Sequence, residues 1–301
     1  MRVLISGASG LVGSEVARQL KAAGHEPIKL VRRVASGPNE VQWNPATSLI
    51  PAELMDNIDA VVNMAGATTG KIPWTKKYKQ EIVASRIDST RTLVKAMAAA
   101  KNPPKVFVSG SASGFYGDCA DQLLTEDSVK GSGFLSDLAN QWEQEALKAP
   151  KGVRVVLART TMVMSRAKGA LGKLLPLIKL GIGGPLGSGK QWWAFISLQD
   201  EAAAIIHLIN SPSASGAYNL TAPEPATCAQ IVKSLAKGLR RPALLQVPSF
   251  AMKLLIGEAA VELLLCSQKM KADRLLATGF KFSHPTLEQA TAYVLSDELP
   301  S

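Results

Sequence analysis

The chain has 301 residues, 47% hydrophobic and 19% charged, and its 34 Lys and Arg against 24 Asp and Glu give a formal net charge of +10. A chain this apolar buries enough surface to offset its conformational entropy, which excludes a mainly disordered state and leaves one large or two smaller domains. No stretch reaches the ~18 apolar residues of a membrane span; the excess of cations points to nucleic acid, an anionic membrane surface, or an anionic cofactor and substrate, and the alternative is a solvated basic surface with no ligand.

The chain opens with Val3-Leu4-Ile5 before Ser6 and Gly7, a run too short for the apolar region of a secretion signal. Cys119, Cys228 and Cys266 lie far apart with no metal-ligand spacing, so the expected compartment is reducing and cytoplasmic and no metal site is expected. Val3 to Ile5 reads as a buried strand. Leu11 to Ala22 follows as a helix with Val12, Val16 and Leu20 on one face, ended by Gly24. Pro27 to Val31, Asp59 to Val62, Lys105 to Val108 and Val153 to Ala158 are further apolar strands, with helices over Lys79 to Ala100 and ending at Gln141 to Leu147. Strands that are apolar without alternation, separated by helices, specify a parallel sheet covered on both faces. The fold class is therefore α/β, a Rossmann-type doubly wound parallel sheet with a smaller C-terminal α/β lobe.

Beyond Arg159 the pattern loosens, with helices over Asp200 to Ile209, Cys228 to Gly238, Phe250 to Leu265 and Thr286 to Val294, and a frayed tail from Ser296 to Ser301. The expected division is a cofactor domain over residues 1–165, to which 195–220 returns, and a substrate lobe over 166–301.

Gly7, Gly10 and Gly13 stand directly after the first strand and open the first helix. Such a turn serves a dinucleotide because glycine lets the backbone approach a pyrophosphate, and the helix N-terminus offers free N–H groups to it. The bland alternative is a structural tight turn. Gly7, Ser9, Gly10, Leu11, Val12 and Gly13 are the candidate phosphate contacts. The second strand ends in Arg32-Arg33, with no acidic residue before Glu40. A guanidinium there matches a 2′-phosphate and an acid would match a ribose hydroxyl, so Arg32, with Arg33 as a second contact, selects NADP(H). Gly184 to Lys190 has the glycine and lysine spacing of a triphosphate loop, but Gln191 stands where that loop needs Ser or Thr.

In chain order, Gly7 to Gly13, Trp43-Asn44-Pro45, Val62 to Gly66, Trp74, Ser85-Arg86, Ser111 to Gly117, Trp142-Glu143, Gly183 to Gly189 and Arg241-Pro242 resemble the atypical, epimerase-family branch of the extended short-chain dehydrogenase/reductases. The resemblance implies that Asn63, Met64, Ala65 and Gly66 line the cofactor, that Glu81 and Arg86 face it, and that Val163 lies near its nicotinamide. Read from residues alone, Glu81 and Arg86 are equally a surface pair on a helix. The Tyr-x-x-x-Lys pair of that superfamily is missing, since Leu135 and Ala139 occupy its two places.

Tyr116, with Ser111 and Ser113, is the candidate substitute, at the end of the fifth strand; the alternative is a Ser-rich turn that bonds its own backbone. The expected activity is NADP(H)-dependent oxidation, reduction or epimerisation of a small carbonyl or hydroxyl substrate, and the alternative is a non-catalytic NADPH sensor. Expected partners are that small molecule and a second copy of the chain in a homodimer. The basic residues are scattered without aromatic interleaving, which excludes nucleic acid, and no membrane contact is expected.

Overall fold

The computed structural model describes residues 1–47, 50–166 and 169–296; the expected frayed tail beyond Ser296 lies outside them. Seven strands form one sheet: β1 (Arg2–Ser6), β2 (Glu26–Val31), β3 (Glu40–Gln42), β4 (Ala60–Asn63), β5 (Val106–Ala112), β6 (Arg154–Thr160) and β7 (Gly216–Leu220). Their spatial order is β7-β6-β5-β4-β1-β2-β3, and every neighbouring pair is parallel. The order runs outward in opposite directions from β1 and β4, so a crevice opens at the carboxyl ends of those two strands.

Successive residues of β1 feed opposite cores. Val3 and Ile5 meet helix α1 (Leu11–Ala22) through Val16 and Leu20, together with Ile205 and Leu208. Leu4 joins Ile28, Val61, Phe107, Leu93 and Met97 on the other face. That second face carries α2 (Lys76–Ala99) and α3 (Phe134–Ala146). A strand covered on both sides has no polar face, which is why the inner strands read as unbroken apolar runs.

The C-terminal lobe has its own core, in which α4 (Gly169–Lys179) supplies Leu171, Leu174 and Ile178, and Trp193 and Phe195 pack beside Ile231 and Leu235. Short strand pairs tie the lobe together: Met162–Met164 with Phe195–Ser197, and Trp192–Trp193 with Ala226–Thr227. Between them α5 (Leu198–Asn210) packs on the sheet, and β7 then enters it. The helix expected over Phe250 to Leu265 is interrupted. Ser249–Ile256 is helical, Gly257 turns the chain at φ +61°, and the last five residues form a π-helical turn. No helix among the described residues is long and apolar enough to cross a membrane.

One buried group sets a pH dependence. Glu201, in the first turn of α5, is wholly inaccessible; its Oε1 accepts from the Thr160 hydroxyl at 2.6 Å, and its Oε2 has no partner among the described residues. Burial pushes this carboxyl up to about 8, against which the Thr160 bond works only partly. Between the ordinary value of 4.5 and about 8, the folded chain therefore keeps a proton that the unfolded chain has released. Stability falls as pH rises through that window. Glu201→Gln removes the penalty: in urea unfolding the variant should match the parent near pH 5 and gain on the order of 1 kcal/mol per pH unit towards pH 8. A constant difference across that range would show that Glu201 does not titrate there.

Candidate cofactor crevice and the buried network beside it

The glycine-rich turn is fixed by backbone contact. Gly7 has φ +70°, and a Cβ on it would stand 2.4 Å from the Met64 carbonyl oxygen; one on Gly13 would stand 2.3 Å from that of Gly7. Both positions exclude any side chain, and the first presses the turn against the loop after β4. Ser9 and Gly10 are exposed, and Leu11 and Val12 are half-buried. Gly10 caps α1 without a side-chain bond, and no acid lies in the first helical turn. The positive end of this helix is thus left for an external anion. Leu11 and Val163 meet at Gly169, whose Cβ would lie 3.6 Å from Leu11 Cδ2 and 3.7 Å from the Val163 carbonyl oxygen.

Loop residues after β4 divide by role. Asn63 is fully buried: its Oδ1 accepts from the Ser6 hydroxyl at 2.5 Å and its amide donates to Thr90 Oγ1 at 2.8 Å. It braces β1, β4 and α2 from beneath. Met64 and Ala65 are half-buried and Gly66 is exposed above it.

At the end of β2, Arg32 is exposed and has no hydrogen bond or ion pair among the described residues. It borders a cavity of about 500 Å³ lined by Gln42, Trp43, Asn44 and Thr47 as well. Those four residues were not among the candidate contacts, although Trp43-Asn44 carried part of the family resemblance. Arg33 does not join them. Its guanidinium is forked onto Glu40 with both distances 2.7 Å, which holds the Glu40 carboxyl down at about 2. In this arrangement the exposed Arg33 guanidinium is spent on Glu40 and does not line the cavity that Arg32 borders.

Glu81 and Arg86 are not a pair. Glu81 is exposed, while Arg86 turns inward, partly buried, and donates from Nη1 to the carbonyls of Ala67 and Ile82, each at 3.0 Å. The C-terminal lobe bridges to the same region: Lys173 Nζ donates to the Gly70 carbonyl, Lys79 pairs with Glu258 at 2.8 Å, and Glu262 accepts from the N–H groups of Phe134 and Leu135.

Known proteins resemble this arrangement. A family model described as the NAD dependent epimerase/dehydratase family matches residues 3–221. The chain belongs to this family. Residues 247–294 match a domain of unknown function, DUF1731. An epimerase family protein of Mycobacterium leprae is 38% identical over 97% of this chain and 94% of its own length. The epimerase family protein SDR39U1 of Bos taurus is 32% identical over 98% of this chain and 100% of its own. The crystal structure of human SDR39U1 (isoform 2) with NADPH superposes with a TM-score of 0.90, at 32% identity, covering 98% and 99% of the two chains.

Within this epimerase-family fold, the residues expected to replace the missing Tyr and Lys are engaged elsewhere. Tyr116 is fully buried; its hydroxyl donates to Asn219 Oδ1 at 2.7 Å and accepts from Arg159 Nη1 at 2.8 Å. Burial pushes it up to about 12, with the Arg159 charge acting the other way. The hydroxyl is closed off from solvent and both of its hydrogen bonds are used inside the core.

Ser111 is also buried, donating to Glu143 Oε1 at 2.6 Å; Ser113 is half-buried at the start of the 3₁₀ turn Ser113–Tyr116. Arg159 forks onto Glu143 at 2.8 and 3.0 Å and lies over the Phe115 ring at 3.7 Å. Leu135 and Ala139, at the places of the absent pair, pack apolar surface. A Cβ on Gly114 would be 3.1 Å from that of Leu135, and Ala139 sits among Phe115, Tyr116 and Met270. Tyr116 and Ser111, the candidates for the missing pair, are thus bonded into a buried network rather than turned to open space.

Breaking the network should show in stability. Glu143→Ala strands the Arg159 charge and should cost about 3–5 kcal/mol in urea unfolding. Tyr116→Phe removes two hydrogen bonds and should cost about 1–3 kcal/mol while leaving nucleotide affinity unchanged. A drop in nucleotide affinity with stability intact would return Tyr116 to the crevice.

Proposed function

We propose that this chain binds NADP(H) along the carboxyl edge of its sheet and works as an oxidoreductase or epimerase on a small carbonyl or hydroxyl substrate. The observation that carries the reading is Arg32: a free guanidinium at the end of β2, bordering a cavity, where an NAD-specific site would place an acid. The rest of the site fits the same ligand. Gly7 and Gly13 bring backbone to a pyrophosphate, the uncapped start of α1 supplies N–H groups and dipole, and Met64 to Gly66 floor the ribose side. NADPH in the human SDR39U1 structure supports this choice by relationship.

When bound, the cofactor supplies or accepts a hydride at its nicotinamide carbon. The chain's own residues orient and shield it. Val163 and Leu11 wall one side, and the bridges from Lys173, Lys79 and Glu262 hold the C-terminal lobe over the crevice and limit water.

A second reading, an NADPH-binding sensor without turnover, is favoured by one specific observation: the two places of the superfamily's acid/base pair hold Leu135 and Ala139. Loss of reduced-nicotinamide absorbance with a broad carbonyl panel supports the enzyme; tight NADPH binding with no turnover across it supports the sensor.

Cofactor choice is tested by titrating NADPH and NADH against the parent and Arg32→Ala, following nicotinamide fluorescence. Loss of the guanidinium should weaken NADPH at least about tenfold and NADH less than about threefold. Equal losses for both nucleotides would refute the assignment.

A further inference from the structure

The C-terminal lobe carries most of the chain's surplus charge. Residues 169–190 and 228–257 hold eight Lys and Arg and no Asp or Glu, against a net charge of +10 for the whole chain. None of the eight has a carboxylate partner among the described residues. Lys173 is used on the Gly70 carbonyl, whereas the side chains of Lys179, Arg240, Arg241 and Lys253 are exposed and have no hydrogen-bond partner among those residues.

The same two segments carry an unpartnered apolar face. Leu244 and Leu254 are 84% exposed, Leu255 is 77% exposed, and Phe250 and Leu180 are each 72% exposed. In the helix Ser249–Ile256 only Met252 is buried, so this one residue seats the helix, and Phe250 and Leu254, four apart, share one side of it. The two segments meet. Leu186 bridges to Val247, the Gly187 N–H donates to the Val247 carbonyl at 2.9 Å, and a Cβ on Gly181 would lie 3.6 Å from Pro242 Cγ. Single apolar residues scattered over a surface need no explanation, but a cluster of them rimmed by charge marks a contact.

Charge and exposure choose what makes that contact. A second copy seated symmetrically on this face would set eight cations against eight, which repels. Protein partners seat their anchors in pockets, and lysine is depleted from such interfaces. Here the side chains project from the surface rather than line a groove, and lysine is abundant. An anionic bilayer fits both features, because leucine and phenylalanine enter the headgroup boundary while lysine and arginine meet lipid phosphates.

We infer that this face of the C-terminal lobe docks on the surface of an anionic phospholipid membrane. Leu244, Phe250, Leu254 and Leu255 enter the bilayer, and Lys179, Arg240, Arg241 and Lys253 bind its headgroups. Docking of this kind needs no spanning helix, so it is compatible with the lack of one among the described residues, and it departs from the expectation of no membrane contact. It does not depend on the cofactor reading.

The test is co-sedimentation of the full-length protein with vesicles of phosphatidylcholine alone and of phosphatidylcholine with about a third phosphatidylglycerol. The mixed vesicles should bind at least about tenfold more tightly, and high salt should weaken that binding. Leu254→Ser with Leu255→Ser should weaken it at least about tenfold, and Lys179→Gln with Lys253→Gln by a similar factor. All four side chains are exposed, so the urea midpoint should stay that of the parent in both double variants. Equal binding to the two vesicles overturns the inference. So does no binding to either: self-association that the leucine pair abolishes would then assign the face to a second copy, and its absence would leave the face to a soluble acidic partner. A leucine double variant that binds like the parent would show adsorption by charge alone, which also overturns it.

Discussion

The fork of Arg159 onto Glu143 fixes the carboxyl edge of one half of the sheet, where β5, β6 and β7 lie side by side. Arg159 ends β6 and Glu143 belongs to α3; through them Ser111 of β5, Tyr116 of the 3₁₀ turn, Asn219 of β7 and the Glu126 carbonyl are drawn into one buried network. Burial alone works against the Arg159 charge, but Glu143 and Tyr116 more than offset it, and the group titrates above its ordinary value. A pair satisfied on every side is rigid, and its geometry is hard to change piecemeal. Its members are buried and bonded to one another, so the hydroxyls of Tyr116 and Ser111 are held within the network.

The crevice itself depends on close backbone approach between Gly7 and Met64. That contact joins the turn after β1 to the loop after β4, and Asn63 locks the pair from below through Ser6 and Thr90. Everything placed on the cofactor follows from it: the direction of the α1 N-terminus, the exposure of Gly10 and Gly66, and the corridor that Arg86 enters under Gly66.

The inner strands were legible because burial on both faces demands unbroken apolar runs, as in Val3-Leu4-Ile5 and Val61-Val62. The two edge strands were not. Glu40–Gln42 is three residues long with one apolar member, and Gly216–Leu220 mixes Gly, Tyr and Asn because it feeds the polar network as well as the core. The cofactor turn was readable from glycine spacing, since only glycine tolerates those contacts. Side-chain direction was not. Tyr116 follows a strand that ends at the crevice, but the intervening 3₁₀ turn rotates it into the core, towards Asn219 more than a hundred residues later. Arg33 shows the opposite case: its partner Glu40 lies only seven residues away, across a loop that folds back on itself, and spacing alone does not reveal that the two side chains meet.

These departures share a cause. In this chain charge is distributed by whether a cation has an internal partner, and sequence shows the cation without showing the partner. Arg33, Lys79, Arg91 and Arg159 are matched by Glu40, Glu258, Glu145 and Glu143. Among the described residues Arg32 has no acidic partner and borders a cavity, while Arg86 bonds only to backbone carbonyls. A surplus of +10 spread evenly over a surface would say little about ligands, whereas an unmatched guanidinium bordering a cavity at the end of β2 gives one anion a defined place.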